Sequence, residues 1–426
     1  MGASSHVAPL VGIDVAAVAR VAEVVERNPR FAARVFTEVE RHDSAGRPER
    51  WASRWAAKEA VRKLYGAQGI SPLPAFHDIE VTIAEGGAPR LRVADAATEF
   101  TVSLSHDGGM AVAVAVAMPD PLSRRTWLPA PPGVRLAARP ADGHKGTFGT
   151  VVVLAGAHGL SGAAYLSAMG AARGGAGLVR LCVPAQLHPA LTVKCTEVMP
   201  HALPDGGLGI TGEEAIEALL RDHLPHADAL VVGPGLGQAE ATRSAMAALL
   251  PRLACPTVID ADGLNLIASG LALHPGGVPV VVTPHPAEMG RLAGIATSAV
   301  QADRRGVASQ YATAHGVVVV LKGSRTVVAA PDGRLHEDGH AVVALASGGT
   351  GDVLAGLIGA MLAAGLDAFD AAVAAVVIHA EAGAAVQAGR GRAGGLASDV
   401  LEALPAAQER LRRALETRDK HGGGAA

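Results

Sequence analysis

Six short valine-rich runs recur from residue 150 onward, and they constrain the fold more than any other feature. Ala-rich stretches with helical spacing separate the runs, which are TVVVLAG, GLVRLCVP, ADALVVG, PTVID, PVVVTP and GVVVVLKG. Continuous apolar strands that alternate with helices are typical of a parallel sheet covered on both faces. The pattern therefore predicts a doubly wound α/β domain.

Glycine-rich or polar segments follow several of these strands. They are AGAHGLSGAA, GPGLG, TPHPAE and KGSRT. Ligands of open α/β sheets bind beyond the carboxyl ends of the strands, so these segments predict a cleft at one edge of the sheet. Each segment taken alone could be an ordinary helix entry without function, and their convergence favours a site.

A further glycine-rich stretch, SGGTGD, precedes an apolar helix. Gly348, Gly349 and Gly351 carry no side chains, so a phosphate group could approach the free amides at the start of that helix. Asp352 would stand beside this anion, which suits a catalytic base better than a simple phosphate cradle. The stretch matches neither the Walker A motif nor the GxGxxG fingerprint.

The first part of the chain has a different residue pattern, which predicts a small α+β domain. RWASRWAAKEAVRKLYG has helical spacing, while FHDIEVTIAEGGAPRLRV and FTVSLSHDGGMAVAVAVA each predict a hairpin around a Gly-Gly turn. A stretch with six prolines over residues 117–146 separates these two parts of the chain. We therefore predict a first domain over residues 1–118, a Pro-rich linker over 119–135, a second domain over 136–412 and a disordered tail over 413–426.

Charge and cysteine usage exclude some classes of function. The formal net charge of −3 gives no reason to expect nucleic-acid binding. The three cysteines form no CxxC pair, so neither a zinc site nor a disulfide framework is indicated. We find no pattern typical of a signal peptide or a membrane span, and we expect a soluble cytoplasmic protein.

Two carboxylates in the first domain are candidates for a metal site. Asp14 ends an apolar strand, and Glu59 shares one side of a predicted helix with Trp51 and Trp55. One interpretation is a two-carboxylate magnesium site that also engages substrate phosphates. The other is an ordinary ion pair between Glu59 and Lys63, four residues further along the helix.

The motifs of the second domain resemble those of the NAD(P)H-hydrate dehydratase family, in the same order, over about residues 136–410. They include HKGTFGTVVVLAGAHGLSGAA, ALVVGPGLG, VIDADGLN, TPHPAEMGRLAG, LKGSRT and GGTGDVLAG. The resemblance implies a ribokinase-like fold. It also implies phosphorylation of the hydroxyl of hydrated NADH or NADPH by ADP or ATP, followed by loss of phosphate.

The same resemblance implies roles for individual residues. Asp352 would deprotonate the hydroxyl, and Gly351 would hold the phosphoryl group. The phosphates and ribose of the nucleotide would contact Lys322, Gly323, Ser324, Arg325 and Thr326, and the dinucleotide pocket would include Ala164, Gly235 and His285. His285 could instead be a loop histidine, Lys322 a solvated strand-end cation, and the whole domain a kinase that stops at a phosphorylated product.

The motifs of the first domain resemble holo-(acyl-carrier-protein) synthase, a phosphopantetheinyl transferase, over about residues 10–118. They are GIDVAAVARV, RFAARVFTEVE, RWAAKEAVRKLYG, FHDIEV, GAPRLRV and VSLSHDGGMAVAVAVA. The resemblance implies transfer of phosphopantetheine from coenzyme A to an acyl-carrier-protein serine. Asp14 and Glu59 would bind Mg²⁺, Lys58 would contact a phosphate, and His106 would lie at the coenzyme A site unless it is a plain strand-end histidine.

The partners expected from this resemblance are an acyl carrier protein and small-molecule nucleotides. Between Arg20 and Lys63 the chain has eleven Lys or Arg residues against seven Asp or Glu, and a basic face attracts an acidic partner. The family typically forms oligomers with sites between subunits, so we expect a homo-oligomer. The alternative is that the first domain is an oligomerisation module without catalytic activity.

Overall fold

The computed structural model describes residues 10–67, 72–84, 87–93, 96–97, 100–117, 133–205, 209, 211–273 and 277–422. For residues 96–97 and 417–422 only the backbone is described. The chain divides into two compact units, Met1–Arg125 and Thr126–Ala426. Most of the predicted linker, residues 119–132, lies outside the described residues.

The first unit combines helices with two small antiparallel sheets, of strand order β1-β6-β5 and β2-β3-β4. The predicted hairpins are confirmed as β2–β3 and β5–β6. The elements in chain order are β1 (Leu10–Ala17), α1 (Val18–Arg27), α2 (Pro29–Val35), α3 (Glu38–Ser44), α4 (Pro48–Ala67), β2 (Ile79–Ile83), β3 (Pro89–Val93), β4 (Ala96–Ala97), β5 (Thr101–Asp107) and β6 (Met110–Ala117).

Helix α4 is the centre of this unit and packs on β1 and β6. Its alanines at 52, 56 and 60 are fully buried against the sheet. A Cβ atom at Gly12 of β1 would overlap the carbonyl oxygen of Ala60, so the close approach of strand and helix requires glycine there. This contact fixes Asp14, two residues further along β1, relative to the helix that carries Glu59.

The second unit alternates strands and helices along its whole length. Its elements are β7 (Thr150–Leu154), α5 (Ser161–Arg173), β8 (Leu178–Pro184), α6 (His188–Lys194), β9 (Met199–Leu203), α7 (Glu213–Asp222), β10 (Ala229–Val232), α8 (Glu240–Leu249), β11 (Thr257–Ile259), α9 (Asp262–Ala268), β12 (Val280–Val282), α10 (Pro286–Ala293), α11 (Thr297–Ala302), α12 (Arg304–His315), β13 (Val318–Leu321), β14 (Val327–Ala329), β15 (Leu335–Glu337), α13 (Thr350–Ala363), α14 (Ala368–Arg390) and α15 (Ala397–Gly422).

One nine-stranded sheet, of order β15-β14-β13-β12-β11-β10-β7-β8-β9, organises this unit. Strands β7 to β13 pair in parallel, and β14 and β15 add antiparallel pairs at one edge. The doubly wound, mostly parallel sheet is therefore confirmed, and the six valine-rich runs are all strands in it. Alternate side chains of β7 enter two separate cores, Val151 and Val153 on one face and Val152 and Leu154 on the other.

Helices α13, α14 and α15 lie on the face of the sheet that includes Val151 and Val153. In the described part of the chain, α14 is the one helix long and apolar enough to cross a membrane, but 89% of its apolar stretch is buried inside the unit. Helix α15 continues to Gly422, so residues 413–422 are helical where the sequence predicted a disordered tail. Residues 423–426 lie outside the described part.

Candidate functional site

Charged side chains meet where strands β11 and β13 end. Asp260 directly follows β11, and Lys322 directly follows β13. The Lys322 Nζ donates a hydrogen bond to Asp260 Oδ1 at 2.7 Å and lies 4.0 Å from Glu288 Oε2. Asp260 and Glu288 are buried. Neither carboxylate was singled out from the sequence, although both lie in motifs that follow buried strands.

Asp352 lies in the first turn of α13, at the same edge of the sheet. Gly349 precedes this helix with a φ of +90°, a conformation that favours glycine. Burial raises the pKa of Asp352 from 3.8 to about 7, and the nearby Asp260 carboxylate adds to the rise while Lys322 opposes it. A carboxyl group that titrates near neutrality in a cleft can accept a proton from a substrate hydroxyl.

Lys322 reaches the start of helix α13. A Cβ atom placed on Gly351 would lie 3.3 Å from Lys322 Nζ, so the ammonium group stands directly beside the glycine. The lysine-bearing strand end therefore lies beside the glycine that precedes Asp352, and Lys322 acts on the charge of Asp352. Asp352 itself is not among the described lining residues of the cavity next to Lys322. Lys322 is not a solvated strand-end cation, because its side chain is only 20% exposed and is paired with Asp260.

A cavity of about 400 Å³ opens beside this pair. Of the residues predicted to bind nucleotide, its lining includes Lys322, Gly323, Ser324, Thr326 and Gly351. Its other lining residues are Ala341, Val342, Val343, Leu345, Ala346, Thr350, Leu354 and His379. The cavity thus has a polar, cationic end and an apolar end, as a nucleotide requires.

Arg325 does not line this cavity. Its backbone carbonyl oxygen accepts a hydrogen bond from Arg304 Nη2 at 3.1 Å, and the same nitrogen donates to the carbonyl oxygens of Leu321 and Lys322. Arg304, which the sequence did not reveal, therefore holds the loop that follows β13 in shape. The predicted nucleotide contact of Arg325 is not seen in the cavity lining.

His285 caps helix α10. Its Nδ1 accepts hydrogen bonds from the backbone N–H groups of Ala287 and Glu288, and Glu288 Oε2 accepts from the backbone N–H of His285 at 2.7 Å. Burial lowers the pKa of His285, and the neighbouring Lys322 charge lowers it further. The imidazole is thus neutral and orients Glu288 toward Lys322, while its contact with a dinucleotide stays a prediction.

Gly235 and Ala164 lie near each other, but they differ in what they can present to a ligand. Gly235 has a φ of +62°, and a Cβ atom on it would lie 2.9 Å from the side chain of Ala163. Ala164 is fully buried beneath Gly156. The whole Ala164 residue therefore offers no exposed surface, and its predicted part in the dinucleotide pocket stays a prediction.

In the first unit, Asp14 and Glu59 line one cavity of about 490 Å³, together with Arg20, Phe31 and Trp55. Asp14 Oδ1 accepts a hydrogen bond from Lys63 Nζ at 2.8 Å, so the alternative Glu59–Lys63 pair is not formed. No cluster of three or more His, Cys, Asp or Glu side chains suited to a metal occurs among the residues described. Two carboxylates beside room for phosphate oxygens nevertheless fit Mg²⁺, which often keeps several water ligands.

Lys58 does not belong to this cavity, contrary to its predicted phosphate contact. Its side chain is fully buried, with Nζ 2.7 Å from Glu40 Oε2 and 2.8 Å from the carbonyl oxygen of Phe76. Consecutive helix residues point about 100° apart, which turns Lys58 into the core while Glu59 faces the cavity. Burial lowers the pKa of Lys58, and the Glu40 carboxylate opposes this change. Lys58 is a structural residue, and Arg20 is the arginine of the cavity lining.

His106 lies near the exposed end of β5. It pairs with Ala111 of β6, and Asp14 pairs with Ala113 of the same strand, so His106 and Asp14 project from one face of this sheet. His106 is absent from the described lining of the Asp14–Glu59 cavity. Its position at a coenzyme A site stays a prediction.

The second unit, with its parallel sheet, its helix-start acid and the adjoining lysine, defines an α/β enzyme of the nucleotide-binding class. Residues 151–406 match the family model of NAD(P)H-hydrate dehydratase. The match spans more than half of the chain, which therefore belongs to the NAD(P)H-hydrate dehydratase family. Residues 10–117 match the model of the 4'-phosphopantetheinyl transferase superfamily.

Individual relatives agree with this assignment. The chain is 39% identical over 284 residues to a bifunctional NAD(P)H-hydrate repair enzyme of Moorella thermoacetica, covering 66% of this chain and 53% of that protein. It is 36% identical to an ADP-dependent (S)-NAD(P)H-hydrate dehydratase of Neisseria meningitidis, covering 64% of this chain and 88% of that protein. The chain spans about half the length of the bifunctional relatives that it matches.

A solved structure of the family has the same fold. The crystal structure of the ADP/ATP-dependent NAD(P)H-hydrate dehydratase of Bacillus subtilis, co-crystallised with ATP and Mg²⁺, is 31% identical, with a TM-score of 0.57. The match covers 65% of this chain and 94% of that one. The ribokinase-like fold predicted for the second unit is confirmed.

Proposed function

We propose that the second unit dehydrates the S form of hydrated NADH or NADPH at the expense of ADP or ATP. The observation that carries this proposal is the start of helix α13, where Lys322 Nζ stands beside Gly351 and Asp352 follows in the first turn. The raised pKa of Asp352, about 7, supports its part as a base. Membership of the dehydratase family supports the same conclusion.

The chemistry follows from the residues present. Asp352 takes the proton of the ring hydroxyl, and the freed oxygen attacks the terminal phosphorus of the nucleotide. The bond from that phosphorus to the bridging oxygen breaks, and AMP or ADP leaves. The Lys322 ammonium and the amides at Gly351 face the charge that develops in this step. Loss of a ring proton and of phosphate then restores the reduced nicotinamide.

The test is to mix the protein with hydrated NADH and ADP, then with ATP, and to follow the absorbance of the reduced nicotinamide. We expect absorbance to rise only when a nucleotide is present. A flat trace during steady nucleotide consumption would instead identify a kinase that stops at a phosphorylated product.

We propose a second activity for the first unit, the transfer of 4'-phosphopantetheine from coenzyme A to a serine of acyl carrier protein. The superfamily match and the shared cavity of Asp14 and Glu59 support it. Mg²⁺ bound by these carboxylates would neutralise the pyrophosphate of coenzyme A. Arg20 supplies a further positive charge in the same cavity, and Trp55 and Phe31 supply its apolar wall.

This activity is tested by incubating the full chain with coenzyme A, Mg²⁺ and an acidic apo carrier protein, and by measuring the mass gained by the carrier. We expect one phosphopantetheine per carrier molecule. If a panel of acidic carrier proteins gains no mass, the first unit is an oligomerisation module rather than a transferase.

We propose that the chain forms a homo-oligomer through the outer face of the β1–β6–β5 sheet. Val11, Ile13 and Val15 project from β1 and are 47%, 53% and 52% exposed. They pair across to Val116, Val114 and Val112 of β6, so six β-branched side chains form one apolar face. Analytical ultracentrifugation of Ile13→Asp should show the monomer. Val193→Asp, at an isolated valine that is 90% exposed, is the matched control and should leave the assembly intact.

We also propose a cytoplasmic location. The three cysteines are free and buried, and an unpaired set of thiols suits a reducing compartment. Recovery of the untagged protein in a membrane or secreted fraction would contradict this proposal.

A further inference from the structure

Among the described side chains that line the nucleotide cavity, one has a buried polar atom that no hydrogen bond within the protein uses. His379, on helix α14, lines the cavity and is only 7% exposed. Its Nε2 atom is buried and has no hydrogen-bond partner. Of the cavity-lining side chains that the structure describes, it alone has such an atom. Because an unsatisfied buried nitrogen is unfavourable, a bound molecule is expected to complete it.

The chemistry of this atom follows from the state of the ring. Burial lowers the pKa of His379 to about 4, so the imidazole is neutral and has one N–H donor and one acceptor nitrogen. The nearby backbone of Thr350 favours the protonated ring and opposes this drop in pKa, so its carbonyl group faces a ring N–H. Since Nε2 has no partner, this donor is Nδ1–H, and Nε2 is the acceptor. Such an atom cannot bind a phosphate oxygen and needs an N–H or O–H group of the ligand.

The position of His379 identifies which part of a nucleotide reaches it. Val342, Leu345 and Leu354 adjoin His379 both in the main cavity and in a smaller one of about 40 Å³. The smaller cavity also has polar lining residues, which are Thr326, Asp338 and His340. The apolar walls of the main cavity suit the flat faces of a purine ring. The charged groups that suit phosphates lie instead at Lys322, and the hydroxyl groups that suit a ribose are those of Ser324 and Thr326.

We propose that His379 is the residue that selects adenine among the purine bases. Its Nε2 accepts a hydrogen bond from the exocyclic amine of adenine, within the nucleotide site on which the proposed dehydratase function also rests. Hypoxanthine and guanine present a carbonyl oxygen at that position. Two acceptors would then face each other in a buried site, and a site built for a hydrogen bond rejects a ligand that cannot form it.

The direct test is calorimetric titration of the full chain with ADP, inosine diphosphate and 2'-deoxy-ADP. We expect the wild type to bind ADP at least about tenfold more tightly than inosine diphosphate. The ratio of affinities for ADP and 2'-deoxy-ADP should be the same in the wild type and in His379→Leu, because Ser324 and Thr326 supply the hydroxyl groups that suit a ribose. In His379→Leu the affinity for ADP should fall to that for inosine diphosphate. The matched control is His336→Leu, because the Nε2 of His336 is also buried without a partner, but outside this cavity. It should keep the wild-type preference.

Three results would overturn the proposal. Equal binding of ADP and inosine diphosphate by the wild type would do so even if His379→Leu fails to fold. An equal loss of affinity for both nucleotides in His379→Leu would show that Nε2 binds a water molecule in the smaller cavity. A change in the ratio of affinities for ADP and 2'-deoxy-ADP on His379→Leu would transfer the contact to the ribose. Failure of the wild type to bind any adenine nucleotide would contradict the proposed dehydratase function itself.

Discussion

Replacement of Asp352 by asparagine should abolish dehydration and at the same time stabilise the second unit. Asparagine keeps the size of the side chain but cannot accept the hydroxyl proton, so turnover should fall at least about 100-fold. The stability gain arises because the fold holds the carboxyl group where its charge is unfavourable, in a buried position near Asp260. The amide never carries this charge.

The size of the gain depends on pH. Below about pH 4 the folded and unfolded chains both bind the proton, so the substitution changes nothing. Between about pH 4 and pH 7 the unfolded chain releases the proton while the folded chain retains it, and wild-type stability falls as pH rises. Above about pH 7 the stability that the wild type has lost relative to Asp352→Asn no longer changes with pH. The rise in the pKa of Asp352 from 3.8 to about 7 sets an upper limit of about 4 kcal/mol. Because the side chain keeps some contact with solvent, we expect about 2 kcal/mol.

The assay is differential scanning calorimetry of both proteins at about pH 5 and pH 8, following the transition that ADP shifts upward. The Tm of Asp352→Asn should exceed that of the wild type by several degrees at the higher pH and by less at the lower one. Asp142→Asn, at an exposed aspartate of the same unit, is the control and should shift neither. A Tm difference independent of pH, or a lower Tm for Asp352→Asn, would refute the reasoning about burial.

Further predictions concern the first unit and the cap of α10. Glu59→Gln should keep the fold and slow the transfer of phosphopantetheine to the carrier protein by at least about 100-fold at fixed Mg²⁺. Transfer at the wild-type rate would show that Glu59 does not bind the metal. Lys58→Met should destabilise the first unit by about 3–5 kcal/mol in urea titrations, since Glu40 is left buried without its cationic partner. The added change Glu40→Leu should recover only part of the loss, because the backbone N–H of Val81 then loses its acceptor. His285→Ala should lower the stability of the second unit by about 1 kcal/mol, because the cap of α10 is lost; an unchanged Tm would contradict that role.

The sheet of the second unit was predictable because its strands are buried on both faces. Every valine-rich run became a strand for that reason. Strand β9 was not predicted, because it is an edge strand with mostly exposed or half-buried side chains and no valine run. The antiparallel strands β14 and β15 were not predicted either. They are three residues each, too short for a periodic pattern.

The positions of site residues were predictable where they follow from the ends of strands and helices. They were less predictable where they depend on how side chains pack. The position of Lys322 at the ligand-binding edge was predictable, because Lys322 directly follows a buried parallel strand. The burial of Lys58 was not, because its partner Glu40 lies on a different helix and only the folded chain brings them together. The role of Arg304 in holding the loop after β13 was not predictable for the same reason, because it donates hydrogen bonds to backbone oxygens distant in sequence.

The most direct test of the proposed repair reaction is its stoichiometry with ADP. Hydrated NADH should be converted to NADH with release of one AMP and one inorganic phosphate per molecule, and Asp352→Asn should form all three products at least about 100-fold more slowly. Formation of NADH without matching phosphate, or of AMP together with a phosphorylated hydrate that never yields NADH, would contradict the account.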